Sequence, residues 1–213
     1  MATRDAATRQ QPEASAARRA PAQQRSRERM ERILSVASSL IGQEGSDQVK
    51  MSAVAAGADI SIGSLYQYFP DKRSIIRTLA ERYAAESRKC IEDALASVSD
   101  LDSLLAAYSS LVDQYYELFL AEPVMRDIWS GMQADKQLVE LELAESKACG
   151  KLLAAAMRRV HPRADAKKIA TLAFLIWQLG EATMRLAISH NRTEGARLVE
   201  AFKRMTLRPI QEP

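Results

Sequence analysis

Nowhere in the sequence do apolar and polar residues alternate as they do along a half-buried strand, and aromatic residues make up only 6% of it. That excludes a sheet-based fold and leaves helix as the expected state throughout. Cysteine is scarce too. Cys90 and Cys149 fall on separate predicted helices without metal-site spacing, so no disulfide framework and no metal are expected, and a reducing cytoplasm is the expected compartment. No secretory leader opens the chain, and no run of about 18 apolar residues occurs, so no membrane span is expected. The motifs of common catalysts are missing: there is no Walker-type glycine run, no GxSxG and no HExxH. The expectation is therefore a non-enzyme without a cofactor. Both histidines, His161 and His190, stand at predicted helix ends, where capping accounts for them. Cys149 reads as a small buried hydrophobe rather than a redox sensor, and Glu140, Glu142 and Glu145 read as a solvated helix face.

What is present is 47% hydrophobic residue in 213 positions, enough for a real core. Ala, Leu, Arg, Glu and Met dominate, which favours an all-α fold. The net charge of +3 is too mild to announce nucleic acid by itself, so the placement of the basic residues must carry that inference. They cluster early. Residues 1–26, rich in Ala, Gln, Pro and Arg without apolar period, are expected to form a disordered basic arm; Arg25 at its end, with Arg27 and Arg29 just beyond it, lies near enough to the next unit to reach phosphate.

A first helix is predicted over roughly 27–43, with Met30, Ile33, Leu34, Ala37, Leu40 and Ile41 spaced three and four apart, stopping at Gly45. The stretch from Lys50 to Lys72 then packs a short helix, a turn, a second short helix and a third helix start into little sequence, the grammar of a helix-turn-helix. Met51, Val54 and Ala55 form one inner face. Asp59 falls at the turn, where its side chain tolerates a left-handed backbone. Ser61 caps the second short helix, while Leu65 and Phe69 point to the core and Ser61, Ser64, Gln67 and Tyr68 remain outside. Pro70 ends it, and Asp71 caps a long helix expected to reach about 97. Ile33, Ala37, Leu40, Val54, Leu65 and Phe69 are the expected miniature core. Further helices are predicted at about 101–121, 123–132, 135–160, 165–190 and 194–206.

The string from Val54 to Lys72, VAAGADISIGSLYQYFPDK, resembles the DNA-binding signature of TetR/AcrR-type transcriptional regulators, usually IAxxAGVSxGTLYxYFxxK. Two departures matter: Asp59 where the family usually has Gly and, ahead of the string, Lys50 where it usually has Thr or Ser. The resemblance implies a helix-turn-helix domain over 27–72, its last helix continuing to about 97, and a helical ligand-binding and dimerisation domain over 73–213. It implies contact with a double-stranded, palindromic operator, for which the residues here are Arg27, Lys50, Ser52, Ser61, Gly63, Ser64, Tyr66, Gln67, Tyr68 and Lys72. Gln67 is expected to read a base edge, and Lys72 to hold phosphate. Between Ile169 and Leu179 nearly every residue is apolar, so that helix must be covered on several sides; with the helix of Leu198, Val199, Phe202 and Met205 it is expected to form a homodimer seam. A small hydrophobic effector is expected among Tyr115, Phe119, Met125, Trp129, Met132, Met157, Phe174, Trp177 and Met184, with Gln178 and Glu181 as polar anchors. The reading is a ligand-responsive repressor; the alternative is a helical DNA-binding or partner-binding protein without an effector.

Overall fold

The computed structural model describes residues 12–131 and 134–213, with side chains from residue 23 onward. Its described elements are all helices: α1 (Pro12–Glu44), α2 (Met51–Gly57), α3 (Ile62–Tyr68), α4 (Lys72–Ala96), α5 (Leu101–Ala121), α6 (Pro123–Gly131), α7 (Lys136–Val160), α8 (Ala166–Ile188) and α9 (Arg192–Gln211). None of them is long and apolar enough to cross a membrane.

The helix boundaries follow local chemistry. Gly45 takes φ 83°, a left-handed conformation that a residue with a side chain adopts at a cost, and its N–H returns to the Ile41 carbonyl at 2.9 Å to close α1. Asp71 and Asp100 each accept from the N–H three residues on, at 2.7 and 2.8 Å, and a serine at that third position returns the bond in a capping box. Asp135, Asp165 and Asn191 cap α7, α8 and α9 from one side only, each accepting from first-turn N–H groups without the returned bond of a capping box.

Two boundaries differ from the sequence reading. Helix α1 starts at Pro12, not near Arg27, so the part of the expected arm from residue 12 onward is helical; residues 1–11 lie outside the described residues. Ala, Gln and Arg are good helix formers, and an apolar stripe is not needed to continue a helix already nucleated by the packed turns after Met30. Helix α9 runs to Gln211, past Pro209. Buried Ile210 anchors this last turn, and its carbonyl meets the Nε2 of His161 at 2.9 Å, which also explains that histidine.

Helices α1, α2 and α3 close on a small core of Ile33, Leu34, Ala37, Val54, Leu65 and Phe69, all buried, with Leu40 half-buried beside it. Burial of each large member contributes about 2 kcal/mol. The remaining helices form a bundle in which α7 lies between α4 and α8, and α9 packs on α8 and α5. Helices α7 and α8 approach closely at Gly150, where a Cβ would sit 3.0 Å from the Phe174 Cα. Helix α4 belongs to both units: Arg82 pairs with Glu31 of α1 at 2.6 Å and Arg88 with Glu145 of α7 at 2.6 Å.

Candidate nucleic-acid interface and interior cavity

Helix α3 has seven residues and a single buried one, Leu65. With Phe69 just beyond it also buried, this short segment is held by two apolar anchors on one side. Its fixed entry comes from the turn before it. Asp59 takes φ 53°, as the sequence predicted of a turn-forming Asp, and Ser61 Oγ accepts from the Ser64 N–H at 3.1 Å. The consequence is an outward face made of Ser61, Ile62, Gly63, Tyr66 and Gln67, all exposed, with Ser64 and Tyr68 half-buried at its edges. At Gly63 a Cβ would meet nothing within 4 Å, so no internal contact requires glycine there.

The flanking groups fall around this face. Lys50 and Ser52 are exposed at the start of α2; Lys50 occupies the cap position, where its donor-only side chain makes no capping bond, and its exposure leaves the ammonium available to solvent or phosphate. Arg27 is exposed on α1, and neighbouring Ser26 bonds the Tyr68 hydroxyl at 3.4 Å, tying α1 to the end of α3. Lys72 differs from the simple expectation. Its Nζ donates to the Asp47 carbonyl at 2.8 Å, so one of its three donors is spent holding the turn after α1. The sequence reading passed over Ile62, an apolar residue 42% exposed in the first turn of α3. Its position directly after the capping Ser61 was the available signal.

Between α4, α5, α8 and α9 lies a cavity of about 280 Å³, lined by Ile91, Tyr108, Tyr115, Trp177, Glu181 and Phe202 among others, with exposed Cys90 and Gln114 at its edge. A second space of about 30 Å³ adjoins it beside Trp129, Glu142, Glu145 and Cys149. Of the expected pocket residues, Tyr115, Trp177, Glu181 and Met184 line the larger cavity, and Trp129 the smaller. Phe119, Met125 and Met157 are fully buried core instead; Phe119 stacks edge-on against Tyr115 and Trp129 at centroid distances of 4.9 and 5.9 Å. Phe174 is half-buried with its backbone against Gly150, and Gln178 donates to Glu142 at 3.4 Å; neither lines the cavity. Met132 lies outside the described residues.

Glu181 is the electrostatic centre of this region. Its carboxylate accepts from the Tyr115 hydroxyl at 3.1 Å and from Trp129 Nε1 at 3.3 Å, and burial first, then the nearby Glu142, push its pKa up to about 7. Glu142 corrects the solvated-face reading. It is buried and ion-paired with Arg185 at 2.8 Å, and Glu145 is half-buried against Arg88; only Glu140 stays at the surface. Partners on α8 and α4, invisible to helical spacing, turn two of the three acids inward. Cys149 is buried, and desolvation with Glu145 and Glu181 pushes its thiol up to about 12, which keeps it protonated and unreactive. Among the described residues no group of three or more His, Cys, Asp or Glu could hold a metal ion.

One face of α8 carries Leu175, Leu179 and Leu186 at 49%, 52% and 49% exposure, and Met205 of α9 is 70% exposed. Leu175 and Leu179 fall in the stretch for which the sequence demanded cover, and Met205 in the helix expected to share the seam; Leu186 extends the face.

Comparison with known proteins adds the following. The family described as bacterial regulatory proteins of the tetR family matches residues 33–79, and the tetracyclin repressor-like C-terminal domain matches residues 102–212. The HTH-type transcriptional repressor KstR of Mycobacterium tuberculosis is 25% identical over 158 residues, covering 71% of this chain and 68% of that protein. A TetR-family transcriptional regulator from Streptomyces coelicolor superposes with a TM-score of 0.63 at 21% identity, over 84% of this chain and 95% of that one. The regulator FadR of Bacillus subtilis, solved in complex with stearoyl-CoA, gives 0.61 at 15% identity over 85% and 97% of the two chains.

Proposed function

The chain belongs to the tetR family of bacterial transcriptional regulators, and from that premise we propose that it is an effector-responsive repressor that binds a two-fold DNA operator as a homodimer. It is a DNA-binding regulator and not an enzyme. The single observation that supports the DNA reading is the division of α3: Leu65 and Phe69 buried, and Ser61, Gly63, Tyr66 and Gln67 exposed on the opposite side. A seven-residue helix pushed outward on so narrow an anchor is shaped to enter the major groove.

In this reading Gln67 reads a base edge, because its amide both donates and accepts and so matches adenine. Ser61, Ser64, Tyr66 and Tyr68, with Lys50, Ser52 and Arg27 flanking, position the helix on phosphates and sugars. Lys72 does two things: it holds the Asp47 carbonyl and offers its remaining donors to the backbone of the duplex. The test is a binding titration on duplex from the protein's own upstream region, repeated across salt concentrations. Gln67→Ala should change the ranking of operator variants by about 1–3 kcal/mol at one position. Lys72→Ala should weaken all variants alike and lower the salt slope by about one. A Lys72→Ala protein with altered sequence preference and unaltered affinity would reverse these roles.

The cavity supports the effector part of the proposal. Ser87, Cys90 and Ile91 of α4 line it, and the same helix begins three residues after Phe69. A ligand that favours one setting of α4 therefore changes the placement of α3, which is the condition for differential binding to control an equilibrium. FadR of Bacillus subtilis binds stearoyl-CoA in a related fold. Here the cavity is smaller than a long acyl chain would fill, and its lining residues include no lysine, arginine or histidine.

A further inference from the structure

Glu181 reaches a space that is otherwise apolar and aromatic. Glu181 is only 9% exposed and lines both the larger and the smaller cavity, and its carboxylate is met by two neutral donors, the Tyr115 hydroxyl and Trp129 Nε1. Among the described residues no basic side chain bonds to it. Each neighbouring element has its charges accounted for: Glu142 of α7 holds Arg185 of α8, Glu145 of α7 holds Arg88 of α4, and Cys149 of α7 is kept neutral by burial. Arg185, one turn on along α8, acts on Glu181 to lower its pKa but is itself bonded to Glu142. The carboxylate thus has no bonded cation of its own, and Tyr108, Tyr115, Trp177 and Phe202 surround the adjoining space.

Taking that space as the effector site of the preceding section, we propose that its ligand is a small organic cation with an apolar body, an amine or quaternary ammonium whose positive centre sits against Glu181 and the aromatic walls. Three observations converge on this class. A buried carboxylate with only neutral donors gains most from an opposite charge, since the interaction is strong where water is excluded. Aromatic faces attract the same charge through their quadrupole. An anionic ligand, by contrast, meets Glu181 and the nearby Glu142 with no basic residue among the lining groups. The volume of about 280 Å³ limits the guest to a small molecule.

Protonation gives the proposal a signature. Because Glu181 titrates near 7, it carries a proton for much of the time at pH 6, and a bound cation must expel it. Affinity for a permanent cation should therefore rise about tenfold between pH 6 and pH 8, with net proton release at the lower pH.

The experiment uses the full chain and two probes of equal shape, benzyltrimethylammonium and its carbon isostere neopentylbenzene, followed by tryptophan fluorescence and by calorimetry in buffers of different ionisation enthalpy. Expected are tighter binding of the cation at pH 8, its weakening at pH 6, and proton release at pH 6 of close to one per site. Glu181→Gln should remove the preference for the cation and the proton release while neopentylbenzene binding is retained, which shows that the cavity is still formed. Equal binding of the two probes at pH 8, or cation affinity unchanged in Glu181→Gln, overturns the proposal. DNA release is scored separately in a binding titration. Cation binding as described without DNA release leaves the ligand class standing and removes the effector reading. DNA release by neopentylbenzene with no tighter binding of the cation does the reverse.

Discussion

Gly63 stands in the first turn of α3 with open space where a Cβ would go, so its glycine is unexplained by anything within the chain. A helical glycine costs about 1 kcal/mol relative to alanine, and Gly63→Ala should therefore leave the protein as stable or more stable by up to that amount. If the slim front of α3 serves close approach to a duplex, the same variant should lose affinity for DNA at least tenfold, a paired result that a thermal melt and a binding titration would separate. Glu181 makes the opposite kind of residue. Its folded-state pKa is raised to about 7 from 4.5, so between those values the folded protein holds a proton that the unfolded chain has released. Stability contributed by the protonated acid is complete below pH 4.5 and is lost as pH rises toward 7, amounting to about 3 kcal/mol. Glu181→Gln should flatten that slope in chemical denaturation measured at pH 5 and pH 8, and should be the more stable protein at pH 8. Both residues stood out in the sequence, Gly63 by its place in a motif and Glu181 as an acid on an apolar helix. The failures among their neighbours are instructive. Phe119, Met125 and Met157 are large, mostly apolar side chains like Tyr115 and Trp177, yet they fill solid core while the latter border a cavity. Helical spacing shows which face turns inward; it contains nothing about whether the opposite wall is close enough to touch.

Among the elements, α6 joins what would otherwise be separate units. Its Trp129 donates to Glu181 at the cavity, and two residues earlier Asp127 accepts the Ser46 N–H at 3.0 Å in the turn that closes α1. Val124 also lies against Gly42, where a Cβ would approach its methyl to 3.2 Å. A nine-residue helix thus touches the interior carboxylate through Trp129 and the DNA-binding unit through Asp127 and Val124. Asp127→Ala removes a single partly buried hydrogen bond, worth about 1 kcal/mol in stability. Its larger expected effect is on communication: operator affinity in the absence of ligand should stay within threefold, while the ligand-induced loss of affinity should shrink by about half or more in the same titration. Unchanged coupling would place the route in α4 alone. The extent of these helices was largely legible in advance because caps are local. Asp71, Asp100, Asp135 and Asp165 each announce a start within four residues of sequence. The early start of α1 and the late end of α9 were not, since the first depends on helix propagation without an apolar stripe and the second on a tertiary anchor, Ile210, lying beyond a proline.

At the scale of the whole molecule, the outer surface of α8 is the part a lone chain leaves unfinished. Leu175 and Leu179 lie one turn apart and Leu186 two turns on, each about half exposed, with Met205 of α9 more exposed still. Contiguous apolar surface of this kind marks an interaction site, and for one polypeptide the simplest closed solution pairs the same patch on two copies about a two-fold axis. The pairing has a mechanical consequence. Two copies of α3 would then be held at a set separation, and a straight duplex accepts them only when that separation matches successive turns of the major groove, about 34 Å. Each contact that binds one recognition helix is thereby made a second time within the same complex, so loss of the pair costs far more affinity than loss of any single base contact. Leu179→Arg tests this at its centre. The residue is 52% exposed in the single chain, so the fold of the monomer should hold within about 0.5 kcal/mol. Burying two guanidinium groups across the axis should dissociate the dimer at micromolar concentration in sedimentation, and operator affinity should fall at least a hundredfold while weak, salt-sensitive binding to unrelated duplex remains. A Leu179→Arg protein that sediments as the wild type does would rule out two-fold pairing through this face of α8.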